Sequence, residues 1–177
     1  MAAVTLVVGG VRSGKSRWAE ELAARQPPVT YVATAQAGDA EMARRIADHQ
    51  ARRASRQPPW QTVEEPWNLL LPLQAAAAGT VLVECLPLWL TNRLLGLPGR
   101  AAQEDAEILA DLARFINAAG AAAARVIVVS SETGLGLMPP DPLARRFGDL
   151  LGICNQRLAA AAAEVYGCVV GIPMRLK

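Results

Sequence analysis

Eight residues near the start, Gly9, Gly10, Val11, Arg12, Ser13, Gly14, Lys15 and Ser16, match the spacing G-x-x-x-x-G-K-[ST]. Glycines at these positions let successive backbone N–H groups curl toward phosphate oxygens, and a helix opening at Gly14 adds its positive dipole end. Lys15 then reaches the β- and γ-phosphates, and the Ser16 hydroxyl is placed to ligate Mg²⁺. Composition sharpens the point, because the chain has 16 arginines and only two lysines, Lys15 and Lys177. Where a cation alone suffices the sequence uses arginine, yet position 15 keeps the compact ammonium. An acidic partner for the metal is expected at the end of another strand, and Glu84, closing Thr80-Val81-Leu82-Val83-Glu84, is the candidate. The alternative for Glu84 is a strand-end carboxylate in solvent.

His49 is the one histidine. On a helix, Met42, Ile46 and His49 fall at i, i+4 and i+7, so the imidazole shares the apolar face. That spacing suits a core histidine satisfied by a carbonyl. Arg44, Arg45, Arg52 and Arg53 nearby suit a second role, since cations keep an imidazole neutral and screen a phosphate, as attack on phosphorus requires. Spacing leaves both open.

Elements must hold these groups in place. The apolar β-branched runs Val4–Val8, Val29–Ala33, Thr80–Glu84, Arg125–Ser130 and Val165–Val170 read as strands covered on both faces, the habit of a parallel sheet. Helices are expected from Gly14 to about Arg25, Asp39 to about Arg56, Gln103 to Ala119 and Pro142 to about Glu164. The last starts with Asp141 as N-cap and Pro142 at its first position, and its stripe is Leu143, Phe147, Leu150, Leu151, Cys154 and Leu158. Alanine tracts lie at helices or their ends. The fold class is α/β, and with 177 residues and no long linker one domain is expected over 1–177.

Composition excludes several classes. A 52% hydrophobic, 19% charged chain is not disordered, and a net charge of +2 with few aromatics does not suit a nucleic-acid groove. Cys85, Cys154 and Cys168 are odd in number and widely spaced, so reduced, mostly buried thiols are expected rather than disulfides or a zinc knuckle. No apolar run reaches the roughly 20 residues of a membrane span, and a cytoplasmic protein is expected.

Over nearly its whole length the chain resembles the bifunctional adenosylcobinamide kinase / adenosylcobinamide-phosphate guanylyltransferase family of cobalamin biosynthesis. The segments are "GGVRSGKSRWAE", "YVATAQAGDAEMARRIADHQ", "WQTVEEP", "VLVECLPLWLTN" and "SSETGLGLMPPDPLARRFGDLLGICNQRLAAAAAEV" running on to "GIPMRLK". Any P-loop enzyme supplies the first. More particular are R-I-x-x-H at Arg45–His49, E-x-L-x-x-W-L-T-N at Glu84–Asn92, and G-x-G-x-x-P-x-x-P-L-A-R-x-F beginning at Gly134.

The resemblance implies a RecA-like P-loop NTPase fold with an antiparallel edge, a trimer, and two reactions. A phosphoryl group passes from GTP or ATP to the aminopropanol hydroxyl of adenosylcobinamide. Then His49 attacks the α-phosphorus of GTP, releases pyrophosphate, and passes GMP to adenosylcobinamide phosphate, giving adenosyl-GDP-cobinamide. It further implies nucleotide contacts from the Gly9–Ser16 loop, Ala33, Thr34, Ala35, Gln50, Ala51, Arg52, Arg53, Glu64 and Glu84, with Glu64 suited to guanine and Mg²⁺ held by Ser16 and Glu84. The connection between His49 and Trp60 is slightly longer than the family's usual spacing. The loop between Glu132 and Arg145 or Arg146 is either a closing element or a rigid turn. A competing reading is a P-loop small-molecule kinase without guanylyl transfer, in which His49 is a core residue; a strand-binding module is disfavoured by the few aromatics.

Overall fold

The computed structural model describes residues 4–36, 38, 40, 43–44, 46–47, 50–51 and 58–177. Seven strands form one sheet in the order β3-β2-β4-β5-β1-β6-β7. They are β1 (Val4–Gly9), β2 (Val29–Ala33), β3 (Gln61–Glu64), β4 (Thr80–Glu84), β5 (Arg125–Val129), β6 (Glu164–Val169) and β7 (Ile172–Arg175). All neighbours pair parallel except β7, which runs antiparallel to β6. This is the mostly parallel α/β sheet expected of a P-loop NTPase.

Both faces of the central strands are covered. In β5, Val126 and Val128 pack into one core with α2 (Leu70–Ala75), α3 (Leu86–Leu95), α4 (Asp105–Ala121) and α5 (Pro142–Ala161). Ile127 and Val129 point the other way, into a core with Ala19, Leu22 and Ala23 of α1 (Lys15–Ala23). This alternation on a strand apolar from Val126 to Val129 explains why the run shows no period of two in the sequence.

Local chemistry sets the helix starts. Asp141 caps α5 as expected, its carboxylate accepting from the Ala144 N–H at 2.8 Å. Helix α4 begins at Asp105 rather than Gln103, because Glu104 and Glu107 form a capping box. Helix α5 ends at Ala161 rather than near Glu164: the Ala163 N–H goes to the Val4 carbonyl at 2.9 Å, and Glu164 pairs opposite Thr5 on β1. Sheet pairing there overrides alanine's helical preference. Within the α5 stripe, Leu150, Leu151, Cys154 and Leu158 are buried, whereas Leu143 is exposed.

Four elements escape the sequence pattern. Strand β3 is polar and mostly exposed, and β7 contains Pro173, which a sheet tolerates only at an edge. Helix α3 opens with Pro87 in its first turn, and α2 is short and carries Pro72. Of the helix expected over 39–56, residues 40, 43–44, 46–47 and 50–51 are helical. Met42, Arg45, His49, Arg52 and Arg53 lie outside the described residues, so the expected apolar placement of His49 does too. No helix among the described residues is long and apolar enough to cross a membrane.

Candidate nucleotide site

The phosphate loop leaves the end of β1 and feeds α1. Gly14 takes φ +92°, and a Cβ there would lie 2.9 Å from the Gly171 Cα, so both conformation and space demand glycine. A Cβ on Gly9 would lie 2.7 Å from the Cys168 carbonyl oxygen. The loop is held from outside: the Gly171 N–H donates to the Ser13 carbonyl at 2.9 Å, and the Glu132 N–H to the Gly9 carbonyl at 3.3 Å. Lys15 folds back over the loop, its Nζ donating to the Gly10 carbonyl at 3.1 Å. Ser13 is buried within it, while Gly10, Val11 and Arg12 are exposed.

Ser16 Oγ donates to Glu84 Oε1 at 2.7 Å, joining the first turn of α1 to the end of β4. This pair fits Mg²⁺: a hydroxyl and a carboxylate are hard oxygen donors, and Mg²⁺ takes one or two protein ligands with phosphates and water completing its shell. No group of three His, Cys, Asp or Glu side chains able to hold a metal occurs among the described residues. The adjacent Cys85 thiol, pushed up to about 12 by burial and then by the Glu84 charge, is a soft donor that Mg²⁺ does not favour.

Register explains the remaining candidates. Ala33 on β2 lies opposite Glu64 of β3 on one side and Glu84 of β4 on the other. The two glutamates therefore stand two strand spacings apart, about 10 Å, at the carboxyl ends of parallel strands. Ligands of open α/β sheets bind at this end. Glu64 is exposed, Thr34 is fully buried, and Ala35 is half-buried. Gln50 and Ala51 are exposed.

Sequence reasoning missed what holds the Thr34 turn. Thr34 Oγ1 donates to the Cys85 carbonyl at 2.8 Å and accepts from the Cys85 N–H at 2.7 Å. Asn92 Nδ2 donates to the carbonyls of Thr34 (2.8 Å) and Pro66 (3.0 Å). Trp89 Nε1 and Arg93 both donate to the Trp67 carbonyl, at 2.8 and 3.1 Å. The W-L-T-N spacing is the signal that carries this, since it sets Trp89, Asn92 and Arg93 on the α3 face toward residues 34 and 66–67.

A cavity of about 250 Å³ lies away from the phosphate loop, lined in part by Trp67, Trp89, Arg93 and Arg100. There the buried Arg93 guanidinium stacks over Trp67 at 4.5 Å and pairs with Asp111. Its contacts tie α3 to α4.

The geometry supplies a phosphate cradle, one ammonium folded over it, a hydroxyl–carboxylate pair suited to Mg²⁺, and a second carboxylate along the same sheet edge. A family model described as cobinamide kinase / cobinamide phosphate guanyltransferase matches residues 5–176. Among curated proteins, the bifunctional adenosylcobalamin biosynthesis protein CobP of Pseudomonas aeruginosa is 46% identical over 175 residues, covering 97% of this chain and 96% of that one. The bifunctional adenosylcobalamin biosynthesis proteins CobU of Salmonella typhimurium and Escherichia coli are 39% and 42% identical, each match covering 97% of this chain and 98% of the relative.

Proposed function

Since the chain belongs to the cobinamide kinase / cobinamide phosphate guanyltransferase family, we propose that it performs both reactions on adenosylcobinamide with one P-loop domain over residues 1–177. The single observation that carries the proposal is the Ser16–Glu84 contact, which joins the phosphate loop to the sheet edge bearing Ala33 and Glu64.

In the kinase step, the loop amides and Lys15 hold the β- and γ-phosphates of GTP or ATP. The aminopropanol hydroxyl attacks the γ-phosphorus, the bond to the bridging oxygen breaks, and the nucleoside diphosphate leaves. Mg²⁺, held by Ser16 and Glu84, neutralises phosphate charge when bound. In the transfer step, His49 attacks the α-phosphorus of GTP and displaces pyrophosphate. A phosphate oxygen of adenosylcobinamide phosphate then attacks the guanylyl-histidine, freeing the imidazole and forming adenosyl-GDP-cobinamide. Glu64 accepts from the guanine N1–H and amino group, a role that its exposed place beside Ala33 supports. The backbone of Ala33, Thr34 and Ala35, with Gln50, Ala51, Arg52 and Arg53, completes the nucleotide contacts.

The same proposal includes a cytoplasmic trimer. The exposed apolar residues Val170, Ile172 and Leu176 along the β6–β7 edge support a contact between copies.

Intact-protein mass after mixing the chain with GTP and Mg²⁺, beside His49→Ala, tests the transfer. An acid-labile GMP adduct is expected on the native chain and not on the variant. GTP binding with no adduct would leave a P-loop kinase without guanylyl transfer as the better account.

A further inference from the structure

The connection from β5 to α5 begins beside the phosphate loop. The Ser130 N–H donates to the Val7 carbonyl at 2.9 Å and the Glu132 N–H to the Gly9 carbonyl at 3.3 Å. A buried pair anchors this base: Ser130 Oγ donates to Asn155 Oδ1 at 2.6 Å, and Asn155 Nδ2 donates to the Ser131 carbonyl at 3.0 Å. At the other end, Arg145 donates to the carbonyls of Pro139 and Pro140, at 2.9 and 2.6 Å. Between these anchors the tip points apolar side chains into solvent, with Leu135 91%, Leu137 100% and Met138 77% exposed.

We infer that Leu135, Leu137 and Met138 seat the corrinoid acceptor, its macrocycle resting on the loop while its hydroxyl, and later its phosphate, reaches the phosphate loop. The inference rests on the cobinamide reading above. Position supports it, since a body packed on a loop bonded to Gly9 lies beside the phosphates that the acceptor must meet. Composition supports it as well: residues 133–140 contain no ionisable side chain, so the strip offers no charge to a nucleotide's phosphates and suits the apolar face of a broad, amide-rimmed macrocycle. Each leucine covered adds apolar burial. Anchoring at both ends makes the strip a platform rather than a collapsing loop.

The test uses the full chain, cobinamide as the probe, and the double variant Leu135→Asp/Leu137→Asp beside the milder Leu137→Ile. Equilibrium dialysis read by corrinoid absorbance is expected to show at least ten-fold weaker cobinamide binding for the double variant. GTP affinity should stay within two-fold, and Leu137→Ile should bind like the native chain. If the native chain phosphorylates cobinamide and the double variant binds it equally well, this inference falls and the proposed function stands. A double variant whose light-scattering mass drops to that of a smaller assembly would make the strip a contact between copies and overturn it also. A native chain that neither binds nor phosphorylates cobinamide would overturn both.

Discussion

Lys15 shows how much a single residue type decides. Its ammonium is the only lysine cation near the sheet's carboxyl edge, and it lies over the loop backbone at Gly10. A guanidinium carries the same charge on a wider planar head, which the tight loop does not fit. Lys15→Arg is therefore expected to lower kcat/KM of cobinamide phosphorylation about 100-fold or more, the scale of losing one preorganised charge on the transferring group. A steady-state assay with either triphosphate checks this, and near-native activity would remove Lys15 from the reacting phosphates. The loop and Lys15 were legible because their chemistry is local and written in consecutive residues. The Ser16–Glu84 contact bridges distant parts of the chain, and strand-end position alone anticipated Glu84.

Elements carry the precision of the site. Helix α3 uses Asn92 to hold two carbonyls, those of Thr34 and Pro66. Asn92→Ala leaves both buried or half-buried acceptors short of a donor, at a cost of about 2–3 kcal/mol. It should lower the urea midpoint and also weaken GTP binding through the Thr34 turn; unchanged GTP affinity would limit Asn92 to stability. The β6–β7 hairpin does the corresponding job for the phosphate loop, with its Gly171 N–H on the Ser13 carbonyl. Its two-residue turn puts both Val170 (φ +49°) and Gly171 (φ +85°) in the left-handed region. Glycine suits that conformation and valine does not, whereas Asn-Gly is the preferred pair for such hairpins. Because Val170 is 83% exposed, Val170→Asn should raise stability by about 1 kcal/mol, read as a higher urea midpoint. A lower midpoint would mean that the valine contributes through a contact with another copy.

At the scale of the molecule, stability depends on burying groups that ionise in alkali. Burial pushes Cys154 up to about 11 from its ordinary 9.0, and Cys85 is raised further. Above about pH 9 the unfolded chain loses these protons while the folded chain keeps them, so stability falls as pH rises. Within that window each thiol contributes about 1.4 kcal/mol per pH unit. Urea midpoints should drop between pH 8 and 10, and less steeply for Cys154→Ala; a flat profile would show the thiols ionising alike in both states. Arg93, held down to about 10 by burial and neighbouring arginines, bends the profile the other way only above that pH, so the measurement stops there.

The sequence by itself determined the α/β class, the five apolar strands, the phosphate loop, the Asp141 cap and, through its particular motifs, the family. These follow from local preference and spacing, which need no knowledge of distant partners. Tertiary structure alone decided the rest. Strand β3 exists because β2 offers an unpaired edge to a polar segment, and β7 because an edge accepts Pro173. Register, set by backbone pairing across the sheet, put Glu64, Ala33 and Glu84 side by side, although no spacing in the chain relates them.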